Sequence, residues 1–192
     1  MDFTKLFLDG MEGCKEFDEA LSIVRMNSLG NVWLIGGSVY RTIASQLYGI
    51  QKPDVDFDFI IEKPTSVKDF NLPEKWTVSA NRFGNPKLIG PTQNIDFVPL
   101  KNIYSIKHRN LESSIDVYLT GVPLTIQSIA YDVTKNKVIG NIGMLALRNK
   151  VVEVNDLYYA QYCVLKKGKS LNEYIHEKAD GLNFTAIYPN EM

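Results

Sequence analysis

Apolar residues recur along this chain with two alternating periods. Phe17, Ala20, Leu21 and Val24 step by three and four, the spacing of a helix that buries one face. Asn31 to Ile35 is a short apolar run closed by Gly36-Gly37, which predicts a buried strand ending in a tight turn. From Ser38 the longer period returns, and Val39, Ile43 and Leu47 predict a helix to about Tyr48 with Gly49 at its exit. Phe57, Phe59 and Ile61 then alternate with acidic residues, so this strand has one apolar and one acidic face. The segment "WTVSANRFGNPKLIGPTQNIDFVPL" reads as two or three further strands broken by glycine and proline. "GVPLTIQSIAYDVTKNKVIG" reads as a short helix entering a hairpin turned at Lys135-Asn136. A helix from about Asp156 to Leu165 follows, its mostly apolar stripe being Leu157, Tyr158, Gln161, Tyr162 and Leu165. The last helix opens on a Ser170–Glu173 capping box and stops at Gly181.

With no repeat, low-complexity tract or long linker, these elements predict an α/β (α+β) fold: a mixed, largely antiparallel sheet with helices packed on one face and the acidic strand central. Residues 1–165 form the main body in this reading, and 166–192 a helical tail packed on it. At 192 residues and 45% hydrophobic content the chain can bury one sizeable core. A formal net charge of −1 supplies no global field toward nucleic acid or an anionic membrane, so strong intrinsic nucleic-acid binding is not expected and any phosphate affinity must be local. The longest apolar runs are far shorter than the roughly 20 residues that span a bilayer, and the first nine residues lack the basic flank and apolar core of a signal peptide. The expectation is a cytoplasmic protein with no membrane partner. Cys14, Cys163, His108 and His176 lack the spacing of a zinc site, and both thiols are expected to be structural.

The candidate chemistry begins with Asp54, Asp56 and Asp58. Residues two apart in a strand project to the same side about 6.6 Å apart. Carboxylates so placed can grip divalent ions, and their hard oxygens select Mg²⁺ or Mn²⁺. The turn Gly36, Gly37, Ser38 supplies a complementary half, since small residues at a helix N-terminus let backbone N–H groups and a hydroxyl approach a phosphate. Taken alone, a Gly-Gly pair is ordinarily a tight turn and a D-x-D strand a solvated edge. In the order strand, glycine turn, helix, acidic strand, they point together to a nucleotide polyphosphate site. Lys101, Lys107, His108 and Arg109 form a modest basic cluster, first read as a solvated loop face and second as a phosphate or acceptor contact.

That motif order resembles the nucleotidyltransferase superfamily that includes DNA polymerase beta, and in particular the head domain of tRNA CCA-adding enzymes and bacterial poly(A) polymerases. "RFGNPKLIGPTQNIDFVPL" resembles the segment that carries a third carboxylate, which maps to Asp96, and "PLTIQSIAYDVTKNKVIGNIG" resembles the block written RRDFTINALA with its hairpin. The likeness runs over roughly residues 15 to 165. It implies a nucleoside triphosphate on the Gly36–Ser38 turn with Arg41 nearby, metals on Asp54, Asp56, Asp58 and Asp96, and transfer of a nucleotide to an acceptor hydroxyl with release of pyrophosphate. The acceptor stays open: a small molecule, a protein, or an RNA end. Of the aspartates, Asp56 fits either alignment of the family's pair, with Asp54 or Asp58 as its companion. The chain departs from the pattern at Tyr40-Arg41, which displaces the family's arginine by one position, and at Gly121, Val122 and Pro123, which replace Arg-Arg-Asp. The likeness stops about where that family's neck begins, so no measuring template for CCA is expected. The alternative reading is a non-catalytic nucleotide-binding or regulatory module that retains the fold.

Overall fold

The apolar stripes and alternating strands close on one seven-stranded sheet. The computed structural model describes residues 1–51, 56–81 and 83–189. In chain order these form α1 (Phe3–Met11), α2 (Lys15–Met26), β1 (Ser28–Ile35), α3 (Gly37–Tyr48), β2 (Phe57–Pro64), β3 (Thr77–Ala80), β4 (Pro86–Ile89) and β5 (Asn94–Pro99). There follow α4 (Tyr104–His108), α5 (Ile115–Thr120), β6 (Ala130–Asp132), β7 (Lys137–Ile139), α6 (Asn141–Asn149), β8 (Val151–Val152), α7 (Leu157–Lys167), α8 (Leu171–Asp180) and β9 (Thr185–Ala186). The large sheet runs β3-β4-β5-β2-β1-β6-β7, which puts the acidic strand β2 at its centre. Every described pairing in that sheet is antiparallel except β2 with β5.

Strand alternation divides the side chains between two faces. Val32 and Leu34 of β1, Phe57, Phe59 and Ile61 of β2, and Ile95 and Phe97 of β5 enter the main core with residues of α1, α2, α3, α6 and α8. Phe7, Phe17, Phe57 and Tyr131 meet there with ring centroids 4.6–6.4 Å apart. On the opposite face Trp33 and Ile60 join Leu100, Ile103, Ile106 and Leu119 in a smaller cluster under the short helices α4 and α5. These helices leave open the end of the sheet where β2 begins. Asp132 is buried on that face, yet it is satisfied structurally: its carboxylate accepts from Trp33 Nε1 at 3.1 Å and from the Lys135 backbone N–H at 2.9 Å.

Several local signals act as expected. Gly49 takes a left-handed conformation at the end of α3, Asn136 has φ 51° in the β6–β7 hairpin turn, and the Ser170–Glu173 capping box is formed. Helices α4 and α5 span only five and six residues, too short for a period to show, whereas α1 buries Phe3, Phe7 and Met11 at a regular spacing of four that the reading of the sequence passed over, as it did α6. The strand β2 starts at Phe57, so Asp56 precedes it, while Asp54 lies outside the described residues. The stripe expected on α7 is corrected: Leu157, Tyr158, Gln161 and Leu165 are exposed, Leu165 by 80%, and the buried positions are Ala160 and Val164. Ala160 and Val164 pack inward, and at the head of the helix Asp156 bonds Arg109 at 2.7 Å while capping the Tyr159 backbone N–H. Among the described residues no helix is long and apolar enough to cross a membrane.

Phe59 is fully buried on the core face of the acidic strand. Phe59→Ala is expected to lower unfolding free energy by about 3–5 kcal/mol, measured by denaturant titration.

Candidate functional site

Two local features bring the candidate residues together. The first is the turn after β1, where Gly36 has φ 76° and ψ −151°, a region essentially reserved for glycine. A Cβ at this position would also stand 3.0 Å from Asp58 Oδ2, so the turn needs glycine both for its backbone and for its approach to the acidic strand. Gly37 opens the twelve-residue helix α3, whose first N–H groups have no intrahelical partner. Ser38 is buried and its hydroxyl donates back to the Ile35 carbonyl at 3.1 Å, so it serves the turn itself.

The second feature is the parallel pairing of β2 with β5, which aligns Asp58 with Asp96. Neighbouring strands lie about 4.8 Å apart, so the two carboxylates stand side by side on the open face. Burial pushes the Asp58 carboxyl up to about 7, helped by the charges of Asp96 and then Asp56, and opposed by Lys87. Lys87, opposite Asp96 on β4, lies 3.3 Å from Asp56 Oδ2 and 3.9 Å from Asp96 Oδ2. Asn81 donates to Asp96 Oδ1 at 3.1 Å, while its own oxygen accepts from the Phe83 and Asn85 backbone N–H groups. Asn102 in turn donates to the Asn85 side chain at 3.0 Å. The loop between β3 and β4 is thereby fastened to the acidic pair.

These groups floor a cleft of about 600 Å³. Its other wall comes from the helices: Tyr104 of α4, Tyr118 of α5, Tyr159, Cys163 and Lys167 of α7, and Tyr174 of α8. Burial pushes the phenols of Tyr118, Tyr159 and Tyr174 upward, so they remain neutral hydrogen-bonding groups. Cys163, expected to be merely structural, faces this cleft. Neither the basic cluster nor Arg41 lines it. Arg41 turns to the end of α8, with Nη1 3.5 Å from the Gly181 carbonyl. Arg109 is used by Asp156, His108 Nδ1 lies 3.2 Å from the Tyr158 hydroxyl, and Lys101 and Lys107 are exposed.

Sequence reasoning missed Lys87, Asn81 and the tyrosine wall. Lys87 stands two positions from the strand's end in a quoted segment, but only the β4–β5 register puts it opposite Asp96. Of that wall only Tyr162's neighbourhood entered the reading, through the stripe Leu157, Tyr158, Gln161, Tyr162 and Leu165 assigned to packing, and Tyr159 was not singled out. For a divalent ion, Asp58 and Asp96 offer paired hard oxygen donors, the donor type that suits Mg²⁺ or Mn²⁺, with Lys87 as a competing cation. Among the described residues, no three acidic, histidine or cysteine side chains are grouped so as to hold one, and Asp56 is drawn to Lys87.

No protein-family model matches the sequence, and no curated protein matches it. Solved structures match its fold. A tRNA-processing enzyme in an apo form superposes with a TM-score of 0.61 over 92% of this chain and 44% of its own, at 18% identity. A CCA-adding enzyme in complex with ATP gives 0.60 over 97% and 42%, at 17% identity. The Thermotoga maritima CCA-adding enzyme complexed with tRNA gives 0.55 over 93% and 46%, at 17% identity. This chain thus has a nucleotidyltransferase head-like fold, and it spans less than half the length of the chains it matches.

The raised Asp58 carboxyl has a pH consequence. Its folded value of about 7 exceeds the ordinary 3.8, so the stability that favours the protonated form is present below 3.8 and drains away as pH rises to 7. Without added metal, Asp58→Asn is expected to raise Tm at pH 8 by roughly 2–8 °C and to change it little at pH 4, as read by scanning calorimetry.

Proposed function

We propose that this chain is a metal-dependent nucleotidyltransferase that moves a nucleotide from a nucleoside triphosphate to an acceptor hydroxyl. The observation that carries the reading is the in-register Asp58–Asp96 pair, with the Gly36 turn directly beside Asp58 in the same cleft. The cleft volume lies within the usual range of about 300–1,000 Å³ for small-molecule sites. The fold likeness supports it, since matched structures include CCA-adding enzymes solved with CTP and with ATP.

In this reading the triphosphate lies against the N-terminus of α3, where orphan N–H groups and the helix dipole favour an anion. Asp58 and Asp96, with Asp56 near them and Asp54 as a further candidate outside the described residues, would hold Mg²⁺ or Mn²⁺, which when bound offsets phosphate charge and acidifies the acceptor hydroxyl. Asp96, held by Asn81, accepts that hydroxyl's proton. The acceptor oxygen bonds to the α-phosphorus as the bond from that phosphorus to the bridging oxygen breaks, and pyrophosphate leaves. Lys87 sits beside the carboxylates, 3.3 Å from Asp56 and 3.9 Å from Asp96, as a cation available to this exchange. The acceptor is a small molecule, a protein, or an RNA end brought by a partner.

One observation favours the second reading, a non-catalytic nucleotide-binding module: Lys87 already neutralises two of the acids. Thermal unfolding with each of the four ribonucleoside triphosphates, with and without Mg²⁺, separates the two. Catalytic use predicts a Mg²⁺-dependent rise of about 5–10 °C at 100 times Kd, lost in Asp58→Asn and Asp96→Asn. Nucleotide binding that ignores Mg²⁺ and survives Asp96→Asn identifies the module instead.

A further inference from the structure

We infer that the parallel tyrosines of α4 and α7 form a stacking platform for a nucleobase. The inference rests on the reading above, which puts the phosphates on the opposite side of the same cleft. Tyr104, Tyr159 and Tyr162 have ring planes within 11–19° of one another, with centroids 4.0 Å apart for Tyr104–Tyr162 and 5.9–6.0 Å for the other two pairs. In the core the aromatic pairs tilt instead, as Phe7–Phe17 does at 88° and Phe70–Phe97 at 63°. Tyr104 and Tyr159 line the cleft and are only half-buried, and His108 lies 4.9 Å from Tyr104 at the edge of the group.

The platform is also preorganised. The Arg109–Asp156 ion pair joins the end of α4 to the start of α7, and Asp156 accepts from the Tyr159 backbone N–H at 2.8 Å. A ring entering such a stack orders few side chains, which lowers the entropy cost of binding. Gln127 donates to the Tyr174 hydroxyl at 3.4 Å and accepts from the Leu124 backbone N–H at 3.3 Å, so its amide is engaged within the protein. Stacking on these rings is base-tolerant, because every base offers a π-face. Purines, with the larger ring surface, are expected to bind better than pyrimidines, by less than about tenfold.

The base can come from the triphosphate or from the end of an acceptor strand, and calorimetric titration distinguishes them. The ligands are ATP and tripolyphosphate with Mg²⁺, adenosine, and a short oligouridylate. They are titrated into the wild type, Tyr104→Leu, Tyr159→Leu, and the ring-preserving Tyr104→Phe and Tyr159→Phe. The wild type is expected to bind ATP about tenfold more tightly than tripolyphosphate. The leucine variants lose most of that margin with tripolyphosphate unchanged, and the phenylalanine variants keep it. If the ring effect appears with oligouridylate and not with ATP, the stacked base is the acceptor's. If neither ATP nor tripolyphosphate binds, the phosphate reading fails, and ring-dependent binding of adenosine or oligouridylate still supports the platform. Leucine variants that fold with a normal Tm and bind ATP, adenosine and oligouridylate as the wild type does overturn it.

Discussion

The site depends on the one departure from antiparallel order among the described pairings of the large sheet. β2 and β5 pair in parallel, and this register sets Asp58 beside Asp96 while their neighbours Phe59 and Phe97 pack into the core beneath. Like charges on adjacent strands are unfavourable, and burial makes them more so. The apolar residues of both strands fix the register from below, because a slip of one residue would carry Phe59 and Phe97 to the open face. The fold thus imposes a charge repulsion that Lys87 and a raised Asp58 carboxyl partly relieve.

The remaining features follow from that pair. The glycine turn can approach Asp58 only because Gly36 lacks a Cβ and adopts a conformation closed to other residues. Asn81 spans from the β3–β4 loop to Asp96, and Asn102 steadies the loop from the far side. The helices after β5 close the cleft: α4 and α7 are joined by Arg109 and Asp156, while α8 contributes Tyr174 and Ile175 to the main core. The last two helices are therefore continuous with the body through packing and wall its cleft, so an aromatic surface faces a charged one across about 600 Å³.

Much of this was legible along the chain. The period changes marked β1, α3 and β2, and the glycine turn, the hairpin turn at Asn136 and the capping box at Ser170 each follow from contacts within a few residues. Asp58 and Asp96 were both candidates, yet strand spacing alone treated Asp54, Asp56 and Asp58 as equivalent. Arg41 was assigned to the phosphate side from its place after the turn, whereas its side chain reaches Gly181, 140 positions away. On α7 the composition offered a stripe through Leu157 and Leu165, and the helix instead buries Ala160 and Val164.

What the sequence determined by itself was local: element type where the period was strong, and the turns that require glycine or a capping serine; it also offered a set of candidate acids. Backbone geometry and side-chain spacing are enough for these, since the interacting groups lie within one turn or one pleat. The tertiary structure decided which acids become neighbours, that Lys87 joins them, which way Arg41 points, and which face of α7 turns inward. Each of those depends on contacts between segments far apart in the chain, such as the β2–β5 register, the Arg41–Gly181 hydrogen bond and the packing of Ala160 and Val164, and no local period encodes such a choice.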